Sequence, residues 1–433
     1  MRRTIRAYGI FMTNISRRST FKTIAAYASI QIVPGHVLGL RGQTPPSEQL
    51  TRGIVGCGGI SASHLQMPGK LLALCDVDKS HLAQRMKDAE AEKNGITGYA
   101  DFRELIARKD LDIIHVCTPP HWHALMAIEA AKAGKDIWCE KPMSRTIGEG
   151  IAMVKAVEKH NRIFRLNTWF RFQDKFYGMG VPVKQLKKAA MHDMLGWPIK
   201  ITVSGVTGFN WKFFWVGKKN LPEEKVPPEL DYNSWLGPAP LKPYNLHRTH
   251  GTFRGYWDYD GGGLADMGQH YLDPAQYILN KDDQAPISVE IDADPQDSDA
   301  AGTFRRIELT YADGCKIILD GENKDKDAAY MEGPKGKIYK AFRSDIPDLE
   351  KKLAELPDPP EQVVDFHESV RSRKKFCLNE QNGFWSCTLV NMAVTAHRLN
   401  KNLKFDNKTM QFDLPEANAL LNQPMRAPWK IDV

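Results

Sequence analysis

The sequence predicts an α/β chain: a doubly wound parallel sheet in the first half, then an α+β region with a large, mainly antiparallel sheet. Three observations carry this. From about residue 51, short, uniformly apolar runs alternate with stretches of helical period, the pattern of a parallel sheet covered on both faces. A glycine-rich turn directly follows the first of these runs. After about residue 172 the apolar runs lengthen and alternate, with a hairpin signal at Asp313-Gly314.

The first 42 residues stand apart. They hold Arg2, Arg3, Arg6, Arg17, Arg18, Lys22 and Arg41 and no acidic side chain, so they are read as a targeting segment before any fold is assigned. Ser16-Arg17-Arg18-Ser19-Thr20-Phe21-Lys22 resembles the twin-arginine export motif, with Thr where an aromatic is commoner, and a moderately apolar stretch from Thr23 to Val33 follows. Met12 is an alternative start, and a disordered basic tail is the competing reading. That route exports folded proteins, so the expected location is the periplasm, with the cytoplasm as the alternative.

Without those seven basic residues, the 59 Lys and Arg fall to 52 and equal the 52 Asp and Glu, so the body of the chain is formally neutral. A neutral body has no global field to gather a phosphate backbone, and nucleic acid is not an expected partner. No apolar run reaches the length of a membrane span. The seven cysteines are odd in number and four fall in or beside predicted strands, which reads as core thiols rather than a disulfide framework. No CxxC or His/Cys cluster has zinc spacing, so no metal is expected.

Strands are predicted at Arg52–Val55, Leu71–Cys75, Ile113–Cys117, Asp136–Cys139 and Ile163–Asn167, with helices such as Trp122–Lys132, closed by Gly134, and Ile147–Glu158. Longer strands follow at Ile199–Gly205, Ile287–Asp292, Arg306–Tyr311 and Cys315–Asp320. A loop-rich stretch at about 210–260, a late helix at about Trp385–Leu399 and an irregular tail complete the chain. The expected divisions are a leader at 1–42, a nucleotide-binding domain at 51–170, a substrate-binding and assembly domain at 171–400 and a tail at 401–433.

Gly56-Cys57-Gly58-Gly59-Ile60-Ser61 matches the dinucleotide fingerprint of a Rossmann fold, with Ser61 in place of the third glycine. The first glycine permits the tight turn, and the second lets the backbone approach a pyrophosphate lying on a helix N-terminus. Asp76 ends the second strand 20 residues after Gly56, where an acid binds a ribose 2′-hydroxyl and repels a 2′-phosphate. The expected cofactor is therefore NAD. Only eight residues separate Ser61 from Lys70, so the first helix must be short.

Three further segments share a known pattern: Thr118-Pro119-Pro120-His121-Trp122-His123, Glu140-Lys141-Pro142 and Asp266-Met267-Gly268-Gln269-His270. Together they resemble the glucose–fructose oxidoreductase/inositol dehydrogenase family, Gfo/Idh/MocA, from about Arg52 to about Asn400. The resemblance implies that Lys141 holds a reacting hydroxyl and helps relay its proton, that His270 is the general acid/base, and that Asp266, one helical turn earlier, binds substrate or polarises His270. It also places Thr118, Pro119, His121, His123, Glu140 and Lys141 around the cofactor, with helix capping as the other reading for the two histidines. Removing hydride from a secondary alcohol needs a base for the hydroxyl proton and a positive group beside the developing oxyanion, which these residue types supply.

Asp231–Pro240 and Phe253–Tyr259 resemble loops of exported, sugar-directed members, and Trp211, Trp215, Trp235 and Trp257 fall in this region. Aromatic faces pack on pyranose C–H faces, which makes Trp257 a candidate substrate contact, and Arg171 is a candidate for hydroxyls. The expected activity is an exported, NAD-dependent oxidoreductase acting on a secondary hydroxyl of a sugar or glycoside, C3 being one candidate. The alternative is a glycosidase working through a transient 3-keto sugar with NAD recycled. The resemblance further implies a homo-oligomer, a dimer or tetramer.

Overall fold

The structure, a computed structural model, describes residues 49–433 apart from 169, 173–175, 177, 178, 205–214, 323, 325 and 326. The leader at 1–42 and Trp211 lie outside the described residues.

Strands β1 (Thr51–Val55), β2 (Lys70–Cys75), β3 (Thr97–Tyr99), β4 (Ile113–Val116), β5 (Asp136–Glu140) and β6 (Phe164–Asn167) form one sheet in the order β3-β2-β1-β4-β5-β6. Every pairing in it is parallel. This is the doubly wound order, in which ligands bind beyond the strand C-termini where the order reverses, here between β1 and β4. All residues of β4 and β5 are buried, His115, Asp136 and Glu140 among their apolar neighbours included. The short edge strand β3 carries too few residues to show a period and is not predicted.

The first helix, Ser61–Leu65, is as short as the spacing demands. Its exposed C-terminal carbonyls are gathered by one buried guanidinium from β1: Arg52 donates to the carbonyl oxygens of His64 (2.8 Å), Leu65 (3.0 Å), Met67 (2.9 Å) and Gly69 (3.1 Å). A cation placed there satisfies the unpaired acceptors and the negative end of the helix together. The helix Pro120–Lys132 starts with proline at its first turn and ends before Gly134, whose φ of +77° closes it. The helix Ile147–Lys159 opens with a capping box formed by Thr146 and Glu149.

The second sheet adds β7 (Lys200–Val203), β8 (Ser288–Ala293), β9 (Phe304–Thr310), β10 (Lys316–Asp320), β11 (Met331–Gly333), β12 (Gly336–Ile338), β13 (Leu403–Asp406) and β14 (Gln411–Phe412), ordered β12-β11-β7-β10-β9-β8-β13-β14. It is antiparallel except where β7 runs parallel to β10. Gly314, at φ +85°, turns the β9–β10 hairpin as its sequence indicated. The tail is not irregular: β13 pairs with β8, so residues 403–412 extend the sheet. Alternating Leu403 and Phe405, both buried, drive this pairing, but two strands so short are easily passed over in a polar stretch.

One continuous apolar core links the two sheets, passing from Ile114 and Ile137 through Leu389 and Met392 of the helix Glu380–Leu399 to Ile307 and Ile317. All seven cysteines are buried and unpaired, in keeping with core thiols. No described helix is long and apolar enough to cross a membrane.

Candidate active site

The glycine turn is shaped by contact with the next strand's exit. Gly56 adopts φ +92°, and a Cβ there would lie 2.7 Å from the backbone carbonyl of Cys117. A Cβ at Gly58 or Gly59 would meet nothing within 4 Å among the described residues, so a side chain there would project into open space. The Asp76 carboxylate accepts the Cys57 N–H at 2.6 Å and the Asp78 N–H at 2.8 Å, tying the turn to the end of β2. Ser61 does not join the cleft wall as expected of a cofactor contact: it is buried, donates to the Gly58 carbonyl at 2.6 Å and accepts from Arg85 Nε at 2.8 Å. A hydroxyl at the third fingerprint position braces the turn from behind.

These environments separate two glycine variants. Gly56→Ala is expected to destabilise the fold by about 1–3 kcal/mol, through strained φ and the clash with residue 117. Gly58→Ala is expected to leave stability within about 0.5 kcal/mol and weaken NAD binding about tenfold or more, because only an incoming pyrophosphate needs that space. Denaturant melts and calorimetric NAD titrations of the two variants check this.

A cleft of about 1180 Å³ runs from this turn across the C-terminal ends of the first sheet. Gly56, Gly58, Gly59, Ile60 and Asp76 line one end, and Thr118, Pro119, Glu140, Lys141, Asp266 and His270 line the other. The open space in front of Gly58 and Gly59 and the acid at the end of β2 fit a dinucleotide's pyrophosphate and ribose.

At the far end, Lys141 Nζ donates to Asp266 Oδ1 at 3.0 Å and to the Asp266 carbonyl at 2.8 Å. Asp266 and His270 lie four residues apart on the buried helix Gly262–Ile278, so both reach the same cleft. The segment after Lys141 is pinned to this helix by Gln269, whose Oε1 accepts the Met143 N–H at 2.8 Å. Behind Lys141, Glu140 Oε1 sits 2.7 Å from His64 Nε2 and accepts from Asn167 Nδ2 at 2.5 Å.

Arg254 is the site residue that sequence reading missed. Its Nε donates to the same Asp266 Oδ1 at 2.7 Å, and its guanidinium lies 4.5 Å from the Trp215 ring centroid. Burial alone would raise the Asp266 carboxyl, but Lys141 and Arg254 outweigh it and hold it at about 2. Any stability this anion contributes is present above the ordinary carboxylate range and is lost as pH falls through about 2. Removing one of its two cations raises the value, so Arg254→Ala is expected to move the acid limb of the kcat/KM profile upward by about 1 pH unit or more. A pH–rate profile over the acid range checks it.

Four other expected contacts are overturned. His121 is buried with Nε2 at 3.1 Å from the Trp235 carbonyl, and burial pushes its imidazole down to about 3. His123 sits with Nδ1 2.7 Å from the Pro142 carbonyl and Nε2 2.8 Å from the Thr118 carbonyl. Neither lines the cleft; His123 instead joins the Thr118 turn to the Lys141 segment. Arg171 is closed inside the protein by Asp273 and Asp282. Trp257 is 1% exposed, with Nε1 donating to the Asp297 carbonyl at 2.9 Å, so its ring packs in the core.

The aromatic lining comes from elsewhere. Trp215 and Trp235 face the cleft, joined by Trp122, whose ring overlies Gly237 so closely that a Cβ there would fall 2.0 Å from it. Trp429, from the C-terminal segment, also lines the cleft and meets the Trp122 ring edge-on at 4.8 Å. Arg426 anchors that segment through the Gly237 carbonyl and Asn233. Nothing near Trp429 in the sequence signals this return to the cleft.

Fold and cleft define a protein built from a dinucleotide-binding Rossmann sheet and a second, mainly antiparallel sheet. The NAD-binding Rossmann domain of the Gfo/Idh/MocA oxidoreductases matches residues 50–168, and their C-terminal alpha/beta domain matches residues 179–431. The chain belongs to this family, and its first domain is an NAD-binding Rossmann fold. Among curated relatives, the myo-inositol 2-dehydrogenase of Thermotoga maritima is 25% identical over 53% of this chain and 55% of its own length. A glycosyl hydrolase family 109 protein of Shewanella baltica is 28% identical over 48% and 52% respectively. The chain spans about half the length of the curated relatives it matches. Among solved structures, the WlbA dehydrogenase of Bordetella pertussis, in complex with NADH and UDP-GlcNAcA, shares the fold with a TM-score of 0.56 at 17% identity, covering 83% of this chain and 99% of that one.

Proposed function

We propose that the protein is an exported, NAD-dependent oxidoreductase that removes hydride from a secondary hydroxyl of a sugar or glycoside, with C3 as a candidate carbon. The observation that carries this reading is the Lys141–Asp266 contact at 3.0 Å, in the same cleft as the glycine turn and with His270 one helical turn on. When bound, NAD supplies the hydride acceptor. Lys141 donates a hydrogen bond to the reacting oxygen and steadies its developing charge. His270 takes the hydroxyl proton, and the Asp266 anion, shared with Arg254, holds Lys141 in place. Trp215, which lines the cleft, is the aromatic side chain set against the sugar. The dehydrogenase and sugar-nucleotide names among the relatives support the substrate class.

The similarity to family 109 glycosyl hydrolases favours one second reading. Oxidation at C3 acidifies the C2 proton, the aglycone leaves by elimination, water adds, and return of the hydride restores the alcohol. The net reaction is hydrolysis with NAD unchanged, and the same Lys141, His270 and Asp266 serve it.

Export rests on the twin arginines at Arg17 and Arg18, and family resemblance supports assembly as a dimer or tetramer. A reporter that residues 1–42 carry into the periplasm, and that Arg17→Lys with Arg18→Lys retains in the cytoplasm, tests the first. Product mass tests the chemistry, after the chain lacking residues 1–42 is incubated with NAD and a panel of glycosides. A product two hydrogens lighter than its substrate supports the dehydrogenase. Free sugar plus aglycone without accumulating NADH supports the glycosidase, and no turnover of any glycoside or sugar overturns both.

A further inference from the structure

Away from the Lys141 group, three side chains from two distant stretches converge beside the β2 end of the cleft. Asp78 caps the helix Lys79–Asp88: its Oδ1 accepts the backbone N–H groups of Ser80 at 2.8 Å and His81 at 3.2 Å. Its other oxygen, Oδ2, lies 3.3 Å from His250 Nε2. The rings of His81 and His250 are tilted together with centroids 4.5 Å apart. One donor atom from each of the three side chains falls within 4.8 Å of the others. Asp78 is buried, while His81 and His250 line the cleft.

We propose that Asp78, His81 and His250 form a binding site for a divalent cation of the zinc class. Two imidazoles and one carboxylate are donors that suit zinc and its first-row neighbours, and three protein ligands leave a tetrahedral ion one place for water. A nitrogen and an oxygen bound to one tetrahedral ion at about 2.0–2.1 Å lie about 3.3–3.4 Å apart, the separation found between His250 and Asp78. Backbone bonds fix the Asp78 end of the set before any ion arrives. The Lys79 N–H donates to the Glu229 carbonyl at 3.0 Å, the Asp231 N–H to the Val77 carbonyl at 3.0 Å, and Asp78 pairs with Leu230 in an isolated bridge. Ligands fixed by their own surroundings lose little freedom on binding.

The ion joins the two domains. Asp78 and His81 belong to the turn and helix after β2, whereas His250 comes from the segment that carries Arg254, the partner of Asp266, four residues later. A cation here braces that segment against the nucleotide-binding domain, so its removal is expected to speed NAD release severalfold. Sequence spacing gives no hint of it, because only Asp78 and His81 are neighbours along the chain.

Zinc titration calorimetry on the tag-free, chelator-treated chain tests the proposal, with the visible spectrum of added cobalt(II) as a second probe. One ion per chain, with the intense visible bands of four-coordinate cobalt, is expected. His81→Ala and His250→Ala should each weaken zinc binding about 100-fold or more, and Asp78→Asn should weaken it while keeping the helix cap. Zinc binding below one ion per chain, or unchanged in the two histidine variants, overturns the site. Zinc displaced one-for-one by NAD overturns it too, since the same atoms would then serve the nucleotide. Zinc that binds as expected but leaves NAD release unchanged overturns the bracing role.

Discussion

Lys141→Ala is expected to lower kcat by about 10²–10⁴-fold while leaving NAD affinity and the unfolding midpoint close to those of the unaltered chain. The reason lies in how the charges are shared. Asp266 is buried, but it has two cationic partners, and the 2.7 Å bond from Arg254 survives the change. No carboxylate is stranded, so the fold has little reason to suffer. What disappears is the donor that the proposed mechanism sets against the reacting oxygen, and Lys141→Arg is not expected to restore it, because a planar guanidinium does not replace a compact ammonium. Turnover within about tenfold of the starting enzyme would remove Lys141 from the proposed mechanism.

Arg171→Ala is expected to act in the opposite sense, on stability rather than chemistry, at a cost of about 3–5 kcal/mol in a urea melt. Arg171 Nε and Nη2 grip Asp273 at 2.9 and 2.6 Å, and Nη1 reaches Asp282 at 2.8 Å. Asp273 is fully buried, and among the described residues its other side-chain bond is a long one from Thr168 at 3.4 Å. Truncation leaves that carboxylate uncompensated in the interior, where burial raises its pKa above the unfolded value. The destabilisation should therefore be largest near neutrality and shrink as acid neutralises the carboxyl. Arg171→Lys recovers only part of it, since an ammonium cannot make both bidentate contacts. A stable Arg171→Ala protein with a selectively raised KM would return Arg171 to the substrate side.

The contrast between Lys141 and Arg171 shows where sequence reading succeeds. Lys141 is legible through the Glu140-Lys141-Pro142 motif, whose family resemblance implies its place, and the structure brings it to the same cleft as Asp266 and His270. Arg171 also follows a strand of the first sheet, and it reads the same whether it meets a sugar, solvent or Asp273. The choice among these lies with a residue about a hundred positions away. His121 and His123 failed for the same reason. Their place in the first turn of a helix was legible, but whether the rings faced the cleft depended on the Trp235 and Pro142 carbonyls.

By itself, the sequence carried the strand–helix alternation of the first domain, the glycine turn with Asp76, the hairpin at Asp313-Gly314 and the spacing of Asp266 and His270 along one helix. Each is a local matter: a strand period, a positive φ that only glycine readily supplies, or a separation of four on one helix. Tertiary structure alone decided that Arg254 shares Asp266 with Lys141, that Trp429 returns from the C-terminal segment to line the cleft, and that Arg171 and Trp257 are core. These outcomes turn on which distant partner a side chain meets once apolar burial has closed the chain, and local pattern carries no record of that partner.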